Sequence, residues 1–313
     1  MIISKFPSRI SLAGGSTDQE EFLSTFGRGM VINFPANIFN KIIIDQDRLG
    51  KNIYDGKYVI IYSQREECDT IDEVRNDIVK HSLLGSSNSQ KFTAIFLSDI
   101  NSVGSGLACS SAYTLAFNRS MEVLCNSHVN AYDRCIKAFN IERKFNPLLG
   151  MQDTFGCGLP GLKVLHFKKD EYPSIETIKT SVFEELDMYI IYTGITRKST
   201  NILKTLSFKD DSLLKICEKF LDAITKNNVG LFLDLIKQGW TAKKNTSKSI
   251  IEEPAVFSLD NSLENNENVL AHRLCGAGNG GYFLSFVKKG IVPKYNNSLK
   301  INPLDSFHDI DVL

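Results

Sequence analysis

Hydrophobic and polar positions divide the chain into segments of two periods. Residues 92–97 alternate as a half-buried strand does, and Ala112, Leu115 and Ala116 follow at helical spacing. A helix is therefore expected to begin near Ser110 or Ser111, with either hydroxyl as its N-cap, and to run toward Leu124. A second helix is expected over 131–143. Upstream, Ile10-Ser11-Leu12 alternates, a glycine turn interrupts at 13–18, 20–26 reads as a short helix, and 31–34, 42–44 and 58–62 read as strands. A stripe of Ile71, Val74, Ile78 and Leu83 predicts a helix over 70–84. Further on, 162–167 and 187–193 predict strands, 208–240 two helices broken at 227–230, 263–274 a helix, and 282–287 a strand. Residues 85–90 and 146–161 read as loops. No internal repeat is visible, and a change of composition near 170–187 divides the chain into domains 1–180 and 181–313.

Between the strand at 92–97 and the helix after it, Gly104, Ser105 and Gly106 leave backbone N–H groups uncovered by side chains. A glycine loop that empties into a helix N-terminus suits a phosphate, although such turns also serve purely structural ends. Two named loops are excluded. No lysine lies between Lys91 and Lys137, so there is no Walker loop, and Gly104-x-Gly106-x-x-Cys109 lacks the third glycine of a dinucleotide fingerprint. A dehydrogenase is excluded with it. Arg9 and Asp18 flank the earlier glycine turn. They read either as a surface turn with Asp18 as an Asx-type cap, or as a guanidinium and a carboxylate presented together to a polyol. Asp153, beside Gln152 in the glycine-rich 146–161 stretch, reads either as a solvated, turn-forming aspartate or as a catalytic one.

Composition narrows the class. The 313 residues are 42% apolar and 23% charged with zero formal net charge, ordinary values for a globular protein. No long basic run and no apolar run near 18 residues occurs, which argues against nucleic-acid and membrane partners. The N-terminus lacks a signal-peptide pattern. Seven cysteines are scattered with no CxxC pair, so reduced thiols, a cytoplasmic location and no zinc site are expected.

Three stretches in order resemble the GHMP small-molecule kinases, the family of galactokinase, homoserine kinase, mevalonate kinase and phosphomevalonate kinase. They are Pro7 to Asp18, Gly104 to Ala112 (similar to the family's GxGLxSSA loop) and Gly276 to Phe283 (similar to its GAGGGGF loop). Within the family, Gly14–Asp18, Met151–Gly156 and Tyr192–Arg197 resemble the GGGTD, KQDQ and YTGITR motifs of D-glycero-D-manno-heptose 7-phosphate kinases. The resemblance spans nearly the whole chain.

It implies an α+β fold in two lobes, a ribosomal-protein-like βαβ lobe followed by a ferredoxin-like lobe. By the same resemblance, ATP phosphates would sit on Gly104, Ser105, Gly106, Leu107, Ala108, Cys109, Ser110 and Ser111, and Mg²⁺ on Glu142 and Ser110, with Ser111 the neighbouring candidate hydroxyl. Asp153 and Arg9 would be catalytic. Asp18, Gly14, Gly15, Thr193, Gly194, Arg197, Lys198 and Gly278 would meet the sugar, with Arg197 and Lys198 taking its existing phosphate and Arg28 and Lys41 behind them. The implied reaction phosphorylates the anomeric hydroxyl of a heptose 7-phosphate, giving a 1,7-bisphosphate for nucleotide-activated heptose and surface polysaccharide. A fucokinase- or galactokinase-like enzyme and a non-catalytic sugar or nucleotide sensor are the alternatives, and a homodimer is left open. The chain departs from the family pattern at Ser16, Ala108, Cys109, Met151, Thr154 and Asn279.

Overall fold

The computed structural model describes residues 1–45, 56–84, 90–196, 202 and 204–313. The predicted loop at 85–90, except Gln90, and the predicted acceptor residues Arg197 and Lys198 lie outside the described residues.

Two long strands carry the first sheet. β1 (Ile2–Ala13) and β2 (Arg28–Asp45) run antiparallel, from Ile2↔Ile44 to Ala13↔Ile32, joined through the glycine turn and α1 (Glu20–Phe26). The segments expected at 31–34 and 42–44 are thus one strand. It is long enough to hold two neighbours in line: β5 (Thr93–Ser98) along its second half and β6 (Lys163–Lys168) along its first. β3 (Tyr58–Ile61) and β4 (Arg65–Cys68) extend the β5 side, and β7 (Ser174–Thr177) borders β6. Successive residues of a strand face opposite sides, and both sides of β2 are buried. Val31 joins an apolar cluster with Leu115, Phe117 and Phe155, residues of α3 (Cys109–Leu124) and α5 (Gln152–Gly158), alongside α2 (Asp77–Leu83) and α4 (Ala131–Glu142).

Ile32 and Phe34 face the other way, into the second half of the chain. There a short α6 (Val182–Glu185) leads into β8 (Leu186–Tyr192), followed by α7 (Ser212–Thr225), α8 (Val229–Lys244), α9 (Pro254–Glu264), β9 (Val269–Leu274), β10 (Tyr282–Lys288) and β11 (Ser298–Ile301). The second sheet is antiparallel, in the order β11-β8-β10-β9. Phe34 meets Phe183 at 5.9 Å between ring centroids, and Phe232 lies 4.9 Å from Phe220 and 5.2 Å from Phe286. One apolar core therefore runs from β2 through α7 and α8 into the second sheet. β12 (Ile310–Val312) then returns to pair with the start of β1. This is the mixed α+β, two-sheet architecture that the resemblance implies.

Three predicted elements differ. The helix expected over 70–84 is confined to Asp77–Leu83, because acidic side chains take the backbone N–H groups ahead of it: Glu73 accepts from Asp69 N at 2.9 Å and Glu66 from Arg75 N at 2.7 Å. The helix expected over 263–274 is the end of α9 and all of β9. The Asn-rich 265–268 turn breaks it, with Asn268 N bonded to the Asn266 side chain at 3.0 Å, and the Val-Leu-Ala-His-Arg-Leu run after it pairs along β10. The third difference is α5, inside the stretch expected as a loop. Its glycines serve packing: a Cβ on Gly156 would stand 2.9 Å from the Arg9 side chain, and one on Gly158 would stand 2.3 Å from Cys135 Sγ.

Candidate active site

A cleft of about 860 Å³, its open mouth included, is lined by the glycine loop, the turn after β1, the starts of α3 and α5, and by Lys243, Arg273, Gly276 and Ala277 from the second half. Its floor is the start of α3. The expected serine cap is absent: Cys109 is the first helical residue, and the N-cap is Ala108, in the left-handed region at φ 62° with no side-chain cap bond. Ser110 and Ser111 fall inside the first turn, where they cannot cap it. The N–H groups of Cys109, Ser110 and Ser111 thus have neither an intrahelical acceptor nor a side-chain cap. Gly104 and Gly106, at φ 64° and 77°, form the turn ahead of them. Such a run of outward N–H groups at a helix start favours an anion.

Arg9 joins this loop to Asp153. The β1–β2 register shifts between Pro7 and Arg9, with the extra residues on β2 between Pro35 and Phe39, and Arg9 is 4% exposed. Its Nη1 donates to Gly106 O at 2.7 Å, its backbone N–H to Leu107 O at 3.1 Å, and its Nε and Nη2 to Asp153 Oδ1 at 3.0 and 2.6 Å. Burial works against the Arg9 charge, but Asp153 outweighs it and the pKa stands above the ordinary arginine value. No hydrogen bond is found on Asp153 Oδ2 among the described residues, and the Asp153 side chain is 22% exposed in the cleft wall.

Asp18 lies beside it. Its two oxygens accept from Gln152 N at 3.1 Å and Gln152 Nε2 at 2.7 Å, so it caps the start of α5. Gln152 Oε1 in turn accepts from Ser11 Oγ at 3.1 Å. Burial, with Asp153 adding to it, pushes Asp18 up to about 6. Adjacent residues of α5 are therefore each held by one flank of the glycine turn, Gln152 by Asp18 and Asp153 by Arg9. At the other end of α5, the buried Lys163 donates to the carbonyls of Leu159 at 2.8 Å and Gly161 at 3.1 Å, and burial brings its pKa down to about 7. Glu142, at the end of α4, accepts from Ser111 Oγ at 2.6 Å. Burial pushes it up to about 7 against the hydrogen bonds of Ser111 and Ser110.

The second half closes the cleft. A Cβ on Gly281 would stand 2.3 Å from Ser105 O, so the glycine-rich loop after β9 touches the phosphate-type loop backbone to backbone. Asn279 adopts φ 56°, which asparagine tolerates in place of glycine. Lys243 Nζ donates to Gly276 O at 2.5 Å, and Arg273 Nη1 donates to Leu12 O.

Of the predicted site residues, Arg9, Gly15, Asp18, Gly104, Ser105, Gly106, Ala108, Cys109, Ser110, Ser111, Glu142 and Asp153 line this cleft. Leu107 is buried beneath it and takes part through its carbonyl. Gly14, Thr193, Gly194 and Gly278 are not in the lining. A Cβ on Gly14 would strike Met30 O, Thr193 Oγ1 donates to Gly281 O at 2.9 Å, and Gly278 packs on Ile250. Arg28 is paired with Glu218 and Lys41 with Asp99. Lys243 and Arg273 line the cleft without a local signal in the sequence. Arg273 falls in a run whose pattern also fits a helix, and Lys243 is one of two lysines at the end of α8.

No protein-family model matches the chain, and no curated protein does. Solved structures do. A D-glycero-D-manno-heptose 1-phosphate kinase from Bacteroides thetaiotaomicron aligns with TM-score 0.76 at 18% identity, over 100% of this chain and 99% of that one. Phosphomevalonate kinase of Streptococcus pneumoniae, in complex with phosphomevalonate and AMPPNP, aligns with TM-score 0.74 at 13% identity over 93% of each chain. The chain has the GHMP-kinase fold. Galactokinase of Lactococcus lactis complexed with galactose shares that fold too, with TM-score 0.67 at 15% identity over 91% and 86% of the two chains. Identities this low speak to the fold, and the chemistry has to be argued from the side chains of the cleft.

Proposed function

We propose that this protein is a sugar kinase that transfers the γ-phosphate of ATP to a sugar hydroxyl. The observation that carries the reading is the pairing of Arg9 with a single oxygen of Asp153, beside an uncapped helix start. Phosphoryl transfer needs positioning and charge neutralisation more than covalent help. The loop 104–111 offers its N–H groups to the phosphates. Arg9 fixes the orientation of Asp153 through Oδ1, so that Oδ2 is left to orient the acceptor hydroxyl and take its proton. An anomeric hydroxyl is more acidic than an ordinary alcohol, which suits so modest a base.

The donor set beside the loop fits Mg²⁺. Among the described residues no group of three or more His, Cys, Asp or Glu gathers as a metal site, so the ion would draw on the Glu142 carboxylate, the Ser110 hydroxyl and phosphate oxygens. Bound there, Mg²⁺ supplies neutralisation of phosphate charge. A carboxylate pushed up by burial is one that a cation would return to its ionised form.

On this reading 1–180 carries the nucleotide and the base, and 181–313 closes over them. The acceptor we propose is D-glycero-D-manno-heptose 7-phosphate, phosphorylated at its anomeric hydroxyl. Support comes from the three motifs echoed at 14–18, 151–156 and 192–197 and from the likeness to a heptose kinase structure. Release of ADP, followed over a panel of free and phosphorylated hexoses and heptoses with and without Mg²⁺, tests both levels. The expected signal requires Mg²⁺ and is highest on the heptose 7-phosphate. A protein that binds no AMPPNP and releases no ADP on any member is not a kinase.

A further inference from the structure

The cations of the cleft are not alike. Arg9 has Asp153. Arg273, on β9, is 4% exposed, and no Asp or Glu pairs with it among the described residues. Its Nη1 is bonded to the carbonyl of Leu12, while its Nε is buried with no hydrogen-bond partner. A buried guanidinium left without a counter-charge is costly unless something in the working state supplies one. The strand is not free to relieve it. The adjacent His272 is fixed to Asp260 at 2.8 Å, and Asp260 also accepts from Trp240 at 2.8 Å and Lys244 at 3.0 Å. The same network fixes the end of α8, where Lys243 turns into the cleft.

Position decides which ligand this charge serves. Arg273 Nη2 lies 3.8 Å from the place a Cβ on Gly15 would take, with Ser11 Oγ at 3.6 Å and Gln152 Oε1 at 4.0 Å from that same point. These groups belong to β1, the glycine turn and α5, on the Asp18 side of the cleft. They are not part of the 104–111 loop. Asp18, the acid of that turn, already gives both oxygens to Gln152. The space beside Gly15 is therefore polar and flanked by a guanidinium that no carboxylate among the described residues pairs with.

We infer that Arg273, with Lys243 beside it, holds a negatively charged group of the acceptor, a phosphate or a carboxylate, in the space over Gly15. This rests on reading the cleft as an acceptor site, and it names the acceptor as an anionic sugar. It also moves the expected charge recognition from Arg197 and Lys198 to the strand before the last glycine loop. A guanidinium suits this role because its fork meets two oxygens at once.

The test is calorimetric titration of inorganic phosphate, and separately of acetate, into protein saturated with Mg²⁺ and AMPPNP, so that the 104–111 loop is filled. Wild type should take up one anion. The tighter of the two tells whether the acceptor is a sugar phosphate or a sugar acid. Arg273→Met should weaken that uptake about 30-fold and Arg273→Lys less. Gly15→Ala guards against misfolding. Its new methyl would meet only ordinary contacts at 3.6–4.0 Å, yet it fills the space itself, so thermal stability should hold while anion uptake falls at least about tenfold. If AMPPNP does not bind, the kinase reading fails, and titration of the bare protein still reports whether an Arg273-dependent anion site exists. The inference is overturned if wild type takes up neither anion, or if Arg273→Met and Gly15→Ala leave uptake unchanged. It is equally overturned if AMPPNP competes the anion away, because Arg273 would then serve the nucleotide.

Discussion

Two helix starts face the same cleft, and they are treated in opposite ways. At α5 the first N–H is taken by Asp18 Oδ2 at 3.1 Å, so the chain closes that positive end with its own carboxylate. At α3 the N-cap is Ala108, which has no oxygen to offer, and the first three N–H groups stay open. Both ends favour negative charge. The difference is that one is filled in the folding of the protein and the other stays open, where we propose that the nucleotide phosphates sit. A filled end becomes scaffold: Asp18 fixes Gln152, and Asp153 follows one residue later with Arg9 on its Oδ1. An open end, on the proposed reading, serves the nucleotide.

The largest effect is expected where the scaffolded helix meets the reaction. Asp153→Asn keeps an acceptor oxygen for Arg9 but removes the base, and kcat should fall about 10²–10⁴-fold while AMPPNP affinity is retained. Equal loss of nucleotide binding would mean that Asp153 serves the α3 end. Next comes conversion of the open end into a closed one. Ala108→Asp puts a carboxylate at the mouth of the α3 start, at a left-handed position aspartate tolerates. AMPPNP affinity should fall about 100-fold by like-charge opposition. Unchanged affinity would place the phosphates elsewhere. The reverse change, Asp18→Ala, strands two buried donors of Gln152 and should cost about 1–3 kcal/mol in denaturant unfolding. A neutral result would make the α5 cap dispensable.

How far this contrast was legible beforehand can be said residue by residue. The 104–111 loop showed itself by its glycines and by the helix that follows, since both signals are local. Where that helix begins did not show, because Ser110 and Ser111 are good caps by type, while the turn ahead of Ala108 meets Arg9 at Gly106 O and Gly281 at Ser105 O, both from far along the chain. Asp153 was singled out by motif, but its helix was not, since Gly156 and Gly158 look like loop punctuation until Arg9 and Cys135 are seen packed against them. The Arg9–Asp153 pair spans 144 residues, beyond the reach of any local pattern. Arg273 was lost to ambiguity of period: a short run such as 269–274 fits a buried strand or a helix equally well until its partner strand is known.

The smallest effect concerns the acids on either side of the contrast. Burial holds Asp18 up to about 6 from 3.8 and Glu142 up to about 7 from 4.5. Between about pH 4 and 7 the folded chain thus keeps protons that the unfolded chain has released. With more protons bound when native, stability falls as pH rises through this window. Above about pH 7 the sign reverses, because the buried Lys163, brought down to about 7 from 10.5, has lost a proton that the unfolded chain still holds. Asp187 and Asp260, held below 3.8, act in the opposite sense at lower pH, so the window belongs to the raised pair. Urea midpoints measured from pH 4.5 to 7 should decline accordingly, and Glu142→Gln should flatten the upper part of that decline while leaving the lower part, which belongs to Asp18. Mg²⁺ with AMPPNP favours the ionised Glu142, so its gain in midpoint should be larger at pH 8 than at pH 5.5. A gain that is the same at both values would separate Glu142 from the metal and leave the open helix start to hold the nucleotide alone.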